Sequence, residues 1–295
     1  MEARLSFIRL EMKLPLVDSH AHLFVKDFAD DLDEVINRAG KKGLTAILTP
    51  VDILDPQEIE KALNYSSSVL PIFLAAGAHP HQAHKFNESY LGKIESLARK
   101  KKIVAIGEIG LDYYYNFSSP DAQKQAFYQQ LILAEDLKLP VIIHSRQAAQ
   151  DVLSIVKKAK FSRGGVLHCF TENYQLALEM MEQGFFISFS GIITFPNAQS
   201  LREIAVKIPL ENLLAETDSP YLTPHPLRKK IKRNEPAFIF ETVNFLAQLK
   251  KTNLTELVSQ LQENFQKCFG LEDKIIEEID IQKGKHFQIR EGPKK

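Results

Sequence analysis

Eight short apolar runs recur along this chain of 295 residues, and they constrain its fold more than any other feature. The runs span residues 16–23, 44–52, 71–80, 103–112, 140–146, 164–170, 185–191 and 213–222. Their first residues lie 21 to 37 positions apart. Because their apolar residues occupy consecutive rather than alternate positions, the runs are typical of parallel strands that are buried on both faces.

The intervals between the runs predict helices, because apolar residues recur there every three to four positions and charges occupy the opposite face. Such stretches span residues 30–42, 90–101, 121–138, 148–160, 174–183, 235–250 and 255–269, the last followed by Gly270 as a candidate C-cap. Eight strand–helix units predict a single (β/α)8 TIM barrel in the α/β class. A doubly wound sheet would need a glycine-rich phosphate-binding turn after the first strand, and the sequence has none there.

Composition gives the domain organisation. No Gly/Ser-rich linker or low-complexity block interrupts residues 14–270, so we predict one domain there, with residues 1–13 as an N-terminal extension. Residues 271–295 form an acidic and then basic segment with few large apolar groups, which predicts a charged tail that is poorly ordered or loosely docked.

Charge and apolar content exclude several classes of protein. The chain has 37 cationic and 37 anionic side chains, so it is not a wholesale polycation that binds nucleic acid by charge alone. No apolar stretch is long enough to span a membrane, and charges interrupt residues 1–16 where a signal peptide would need an apolar core. We therefore predict a cytoplasmic protein with no membrane partner. Cys169 and Cys268 are too few for a disulfide framework.

Six side chains that can bind metal ions lie at the carboxyl ends of five of the apolar runs. They are His20, His22, Glu108, His144, His168 and Asp218. Each alone has an ordinary structural explanation as a hydrogen-bond or ion-pair partner, but in a barrel these strand ends meet at one mouth. Burial of so many polar groups in apolar runs is costly without a partner. The set is large enough for two divalent ions about 3.5–4 Å apart.

The motifs around these residues resemble the TatD family of metal-dependent deoxyribonucleases in the amidohydrolase superfamily. In chain order they read DSHAHL, GAHPH, GEIGLDYY, PVIIHSR, LHCF, ETDSPYL and RNEP, between residues 18 and 236. The chain departs from the family at residues 228–236, RKKIKRNEP, which are slightly longer than the usual RGK-type run and lack its glycine. The position of any phosphate-binding cation in this loop is therefore open.

The resemblance implies a ligand set and a reaction. One ion would be bound by His20, His22 and Asp218 and the second by His144 and His168, while Glu108 bridges both. The expected cofactors are two divalent metal ions, Mg²⁺, Mn²⁺ or Zn²⁺. The implied activity is hydrolysis of DNA phosphodiester bonds as a 3′–5′ exonuclease on single-stranded or frayed ends.

In the implied reaction, a metal-bridging hydroxide would attack phosphorus in line with the leaving oxygen, whose bond to phosphorus breaks. Asp218 and Glu108 are the predicted catalytic residues, and Asp218 orients the nucleophile and takes its proton. Glu216 either hydrogen-bonds a ligand histidine from behind or is an ordinary inward-facing polar residue of the barrel.

For each candidate substrate contact, the sequence allows either a role in substrate binding or a structural role. His81 contacts a phosphate or caps a helix, and Arg146 binds a phosphate or forms a structural ion pair. Of the tyrosines 113–115, one, taken as Tyr113, stacks on a base and the other two pack. Arg228 begins a run of five cations within residues 228–233 that would steer a polyanion, and weak, salt-sensitive DNA binding follows from the neutral net charge.

Two other functions remain. The same metal site could hydrolyse another ester, amide or phosphoester, since a fold and a metal centre do not fix the substrate. The third possibility is a protein that binds metal or nucleic acid but catalyses no reaction. The complete set of six ligands argues against it.

Overall fold

A computed structural model describes residues 14–115 and 117–271, and eight parallel strands form the centre of this fold. The strands are β1 (Leu16–Asp18), β2 (Leu44–Asp52), β3 (Ile72–Gly77), β4 (Ala105–Asp112), β5 (Val141–Arg146), β6 (Gly165–Leu167), β7 (Phe185–Phe189) and β8 (Leu213–Ala215). Each strand pairs with the next in sequence order. The parallel alternation of strands and helices confirms the predicted (β/α)8 barrel.

Helices surround the sheet and follow each strand. They are α1 (Leu32–Lys41), α2 (Pro56–Asn64), α3 (Glu88–Arg99), α4 (Pro120–Leu137), α5 (Ala149–Lys158), α6 (Tyr174–Glu182), α7 (Gln199–Lys207), α8 (Ile239–Lys250) and α9 (Leu254–Phe269). Asp55, Asn87, Ser119 and Asn173 accept backbone N–H groups at N-caps, which satisfies donors that the first turn of a helix leaves free. Gly270 ends α9 in the left-handed conformation, as predicted.

The helix predicted for residues 235–250 begins later than expected. Residues Pro236–Phe238 form a 3₁₀ turn, and the α-helix starts at Ile239. The sequence pattern does not distinguish the two, because a proline at the first position is compatible with either kind of turn.

Two apolar layers pack on either side of the strands. An inner cluster contains strand residues such as Leu48 and Ile142 together with Phe265 and Phe269 of α9. α9 therefore covers the amino-terminal end of the barrel, which leaves its carboxyl end open for a site. Leu271, the first residue of the predicted tail, is also buried in this cluster.

The remaining domain predictions fall outside the described residues. The N-terminal extension, residues 1–13, and the rest of the charged tail, residues 272–295, lie there, so these boundaries stay predictions. Within the described chain, no helix has both the length and the apolar character needed to cross a bilayer.

The first and last strands are shorter than their apolar runs. The prediction that His168 lies on a strand is wrong, because β6 ends at Leu167. The same prediction for His20, His22 and Asp218 is wrong, because β1 ends at Asp18 and β8 ends at Ala215. The strands end because the side chain of Asp18 accepts the backbone N–H groups of His20 and Thr217 in place of the strand ladder.

Beyond these ends the chain closes the barrel by single backbone hydrogen bonds. Asp218 N–H donates to the His20 carbonyl at 2.9 Å, and His22 N–H donates to the Ser219 carbonyl at 2.8 Å. Ala21 and Ser219 form an isolated parallel bridge between the two segments. The seam that completes the barrel thus fixes the backbone of three predicted metal ligands.

Candidate metal centre

A cavity of about 920 Å³ opens at the carboxyl end of the barrel. Five of the six predicted ligands line it, and these are His22, Glu108, His144, His168 and Asp218. His20 lies beneath them and is fully buried. The structure therefore brings together at one site all six residues, which the sequence distributes over about two hundred positions.

Glu108, at the centre of the cluster, faces different imidazoles with its two oxygens. Oε2 lies 3.4 Å from His20 Nε2 and 3.8 Å from His22 Nε2. Oε1 lies 2.9 Å from His144 Nδ1 and 2.7 Å from His168 Nε2. The carboxylate thus has one histidine pair on each side, which is the arrangement of a ligand shared between two positions.

Within each pair the imidazole nitrogens point toward each other. His20 Nε2 and His22 Nε2 are 3.1 Å apart, and Asp218 Oδ1 lies 3.4 Å from the latter. His144 Nδ1 and His168 Nε2 are 3.2 Å apart. Converging nitrogens and carboxylate oxygens are the donor set of a divalent transition metal, so the residues present fit the ions that the sequence predicts.

Acidic side chains behind the histidines fix the ring orientations. Asp112 Oδ2 lies 3.0 Å from His144 Nε2, and Glu216 Oε1 lies 3.3 Å from His168 Nδ1. Each acid contacts the ring nitrogen that faces away from Glu108, as in carboxylate–histidine–metal arrangements. Of the two interpretations of Glu216, its position favours the one that places it against a ligand histidine.

Electrostatics leave the carboxylates charged and part of the histidine set neutral. Burial opposes charge on Glu108, but His168, His79 and their neighbours outweigh it and hold the pKa of Glu108 well below its usual value. Burial also opposes charge on Asp218, but His22 outweighs this effect and lowers the pKa of Asp218. Burial, together with His168, lowers the pKa of His20, so this imidazole is neutral and able to coordinate.

The other three predicted ligand histidines hold their protons more firmly than His20 does. Burial lowers the pKa of His22, His144 and His168, but the adjacent carboxylates outweigh it and raise all three. A cation bound between them would displace these protons, so binding is expected to release protons and to strengthen as pH rises.

His79 belongs to the cluster although it was not a predicted ligand. Its Nε2 lies 3.2 Å from Glu108 Oε1. Its Nδ1 accepts the backbone N–H of His81 at 3.1 Å, where His79 is the N-cap of a 3₁₀ turn. A neutral imidazole that accepts through Nδ1 carries its proton on Nε2, so this histidine acts as a donor to Glu108 rather than as a further ligand.

Sequence reasoning missed Asp18 and Asp112, both fully buried. Asp112 Oδ2 also lies 3.0 Å from His81 Nε2. Both acids stand inside quoted motifs, at the start of DSHAHL and in GEIGLD, next to the residues chosen as ligands. A charged residue within an apolar run was the available signal.

The predicted substrate contacts divide into two groups. His81 and Arg146 line the cavity, and no carboxylate among residues 14–115 and 117–271 pairs with this arginine. Tyr113 does not line it, because its hydroxyl turns away and donates to Asp151 at 2.7 Å. The choice of Tyr113 for stacking does not fit this placement. Its neighbours, which were expected to pack, line the cavity instead and are exposed.

Arg228 also lies outside the cavity lining, and its guanidinium carbon stacks 3.9 Å from the centroid of Phe195. At the other end of the same cationic run, Arg233 forms ion pairs with Asp31 at 2.7 Å and with Glu235 at 2.9 Å. Four of the five cations of residues 228–233 are exposed, namely Arg228, Lys229, Lys230 and Lys232.

The cavity wall next to β2 is acidic. Asp52 and Glu58 line it, and Gln82 donates to Asp52. Burial raises the pKa of Glu58 to about 7, although His22 and the backbone N–H of Asp52 act to lower it. The two sides of the cavity therefore differ in charge, with carboxyl groups near β2 and Arg146 at the end of β5.

The chain matches known proteins over most of its length. A family model described as TatD related DNase matches residues 17–270. YabD of Bacillus subtilis (strain 168), an uncharacterized metal-dependent hydrolase, is 40% identical over 257 residues, covering 87% of this chain and 99% of that protein. A protein of Klebsiella pneumoniae (strain 342) named 3′-5′ ssDNA/RNA exonuclease TatD is 34% identical over 262 residues, covering 87% and 98%.

A solved structure gives the same relationship. The crystal structure of YjjV, a TatD homologue from Escherichia coli K12, superposes with a TM-score of 0.80 at 28% identity. The superposition covers 88% of this chain and 99% of that one. The barrel and its order of elements are thus shared with a protein of the same group.

Proposed function

This chain belongs to the family of TatD related DNases and is a metal-dependent hydrolase, and from that premise we propose that it cleaves DNA phosphodiester bonds. We propose further that it acts from the 3′ end of single-stranded or frayed strands, the polarity stated in the name of the Klebsiella relative. The observation that carries the proposal is Glu108 with one converging histidine pair on each of its oxygens.

Two divalent cations fit this donor set. His20, His22 and Asp218 would hold one, His144 and His168 the other, and Glu108 would contact both. Bound there, Mg²⁺, Mn²⁺ or Zn²⁺ would acidify a water molecule and neutralise charge on the phosphoryl oxygens.

The protein's own groups then position and move protons. Asp218 borders the cavity and is ionised, so it can orient the attacking water and accept its proton. Glu108 stays anionic because the imidazoles around it favour its charge. Asp112 and Glu216 hold the rings of His144 and His168 so that their lone pairs face the centre.

Two groups at the cavity are placed to bind the phosphate. Arg146 has no described ion-pair partner and can present two parallel N–H groups to phosphoryl oxygens. His81 faces the same space, with its Nε2 directed at Asp112, so its other ring nitrogen is available to the substrate.

A smaller ester, amide or phosphoester is the second candidate substrate. The acidic wall of Asp52 and Glu58 favours it, because carboxyl groups repel a polyanion that passes close to them. DNA remains the first candidate, because the opposite wall carries Arg146 and the exposed rings of Tyr114 and Tyr115.

The test compares the parent protein with His144→Ala and Asp218→Asn. Each protein is depleted of metal, supplied with graded Mg²⁺, Mn²⁺ or Zn²⁺, and assayed on end-labelled single-stranded DNA, RNA and small phosphoesters. We expect metal-dependent DNA cleavage by the parent and losses of at least about 100-fold in both variants. Asp136→Asn, an exposed acid on α4, is the matched control. Equal activity in all proteins would end the proposed mechanism.

Salt dependence tests the steering of the strand. Arg228, Lys229, Lys230 and Lys232 are the exposed cations of the loop after β8. We expect the rate on single-stranded DNA to fall between about 50 and about 200 mM salt, because phosphate contacts release counterions. An unchanged rate would remove the role proposed for residues 228–233.

A further inference from the structure

Arg146 and two aromatic residues form a continuous stack at the cavity mouth. The Arg146 guanidinium carbon lies 4.8 Å from the ring centroid of Tyr115. Tyr115 and Phe117 stack with 5.6 Å between centroids and 9° between planes. Tyr114 supports the arginine from a second side, with its ring centroid 4.1 Å away. We call Arg146, Tyr115 and Phe117 the platform.

The platform is exposed where a folded chain would normally bury such groups. Tyr115 is 41% exposed, Phe117 is 63% exposed, and the supporting Tyr114 is 54% exposed. These three account for nearly half of the seven large apolar or aromatic side chains that are exposed in the described residues. Aromatic residues concentrated at the edge of a cavity mark a binding surface rather than scattered surface composition.

Hydrogen bonds fix the platform relative to the candidate metal centre. Asp112 Oδ1 accepts the backbone N–H groups of Tyr114 at 2.9 Å and of Tyr115 at 2.8 Å. Its other oxygen contacts His144, one of the proposed ligands. One buried carboxylate thus ties the aromatic loop and the metal centre together, so a group stacked on the platform has a defined position relative to the centre.

We propose that the platform binds one unpaired nucleobase of the strand whose phosphate lies at the metal centre, an inference that rests on the proposed function. Every base has a planar face, so stacking on Phe117, at the outer end of the stack, accepts any of them. Inside a duplex both faces of a base are covered by its neighbours, so the platform accepts only a base that has left the stack or lies at its end. A guanidinium that stacks on rings keeps its N–H edge free for phosphate. The platform therefore selects single-stranded ends.

The experiment measures binding without cleavage. The Mg²⁺-loaded protein is titrated with a nuclease-resistant phosphorothioate oligothymidylate, and then with a series in which an abasic unit replaces one nucleotide at successive positions from the 3′ end. We expect one position in the series to weaken binding about 5- to 150-fold, the range for loss of one base–aromatic stack.

Variants connect that position to the platform. Phe117→Ala should weaken binding of the intact oligonucleotide by a similar factor and abolish the sensitivity to the abasic unit at that position. Phe117→Trp retains a ring and should retain the sensitivity. Phe240→Ala, which removes an exposed phenyl group on α8, is the matched control and should bind as the parent does.

Several results would overturn the inference. The first is that Phe117→Ala and the abasic unit weaken binding additively. The second is that parent and Phe117→Ala bind the oligonucleotide with equal affinity. The third is that Phe117→Ala changes nothing except self-association, measured by sedimentation. A parent that shows the base-specific position but hydrolyses no nucleic acid would overturn the proposed function instead. A parent that cleaves ordinary and fully abasic strands equally well would leave that function standing and remove the platform.

Discussion

The floor and the rim of the cavity are built in opposite ways. On the floor, His20 and Glu108 are buried, and each contacts several other polar groups within 4 Å. On the rim, Tyr115 and Phe117 are exposed and are held mainly by stacking and by backbone hydrogen bonds. The floor depends on many mutual contacts, whereas the rim depends on few.

Because of this difference, we expect the floor to bind the metal ions and the rim to determine which substrate is bound. Polar groups that are buried together are stable only when each has a partner, so removal of one floor residue leaves others unsatisfied. A rim residue can be replaced without that penalty, because water takes the place of its contacts. We therefore expect floor substitutions to abolish metal binding and rim substitutions to change substrate preference.

The largest effect is expected from Glu108→Gln at the centre of the floor. The substitution removes the charge that faces both histidine pairs, so both metal positions weaken. We expect kcat/KM on single-stranded DNA to fall at least about 1,000-fold, the upper range for loss of one electrostatic stabiliser. Elemental analysis after Mn²⁺ loading should show less bound metal than in the parent or in Glu60→Gln, an exposed control on α2. Full metal content with full activity would show that Glu108 is not the shared ligand.

Asp112→Asn tests the connection between floor and rim. An amide cannot accept from His144 and His81 as a carboxylate does, so the His144 ring loses its fixed orientation. We expect the affinity for the more weakly bound Mn²⁺ to fall about 10- to 100-fold, as for other carboxylates behind ligand histidines. Competition with a chelator measures it, and Asp121→Asn on α4 is the control. Unchanged metal affinity would restrict Asp112 to holding the loop of Tyr114 and Tyr115.

The floor could be predicted from the sequence, whereas only part of the rim could, through Arg146 and His81. Barrel topology brings strand ends together whatever their separation in the chain, so charged residues at the ends of apolar runs identified His144, His168 and Glu108. The placement of Tyr113 and Arg228 depends on how individual loops turn, which no periodicity records. Even on the floor, the part played by His79 depends on one backbone hydrogen bond to its Nδ1.

Arg233→Gln tests how firmly the loop of the cationic run is anchored beside the rim. The guanidinium of Arg233 forms a two-pronged contact with Asp31, with both distances 2.7 Å, and also contacts Glu235. Arg38 joins the same network through Glu235. We expect the free energy of unfolding in urea to fall by about 1–2 kcal/mol, more than for an isolated exposed pair because several partners lose a contact.

The matched control for Arg233→Gln is Arg99→Gln. Arg99 forms an exposed pair with Glu95 one turn away on α3, which should contribute only about 0.3–0.5 kcal/mol. Equal losses in the two variants would show that the network anchors the loop no better than a single surface pair.

The smallest effect concerns Glu58 on the acidic wall, where burial raises the pKa from its ordinary value of 4.5 to about 7. Because the folded state favours the protonated acid, the parent loses stability as pH rises from about 4.5 through about 7. Glu58→Gln cannot ionise and avoids that loss. The variant should match the parent in pH dependence below about 4.5 and gain up to about 1 kcal/mol above pH 7, a figure reduced for solvent screening. Urea unfolding of metal-free protein at pH 5 and pH 8 measures the difference, with Glu60→Gln as the exposed control. If the gain is the same at both pH values, Glu58 ionises without cost, and the acidic wall repels a polyanion with its full charge.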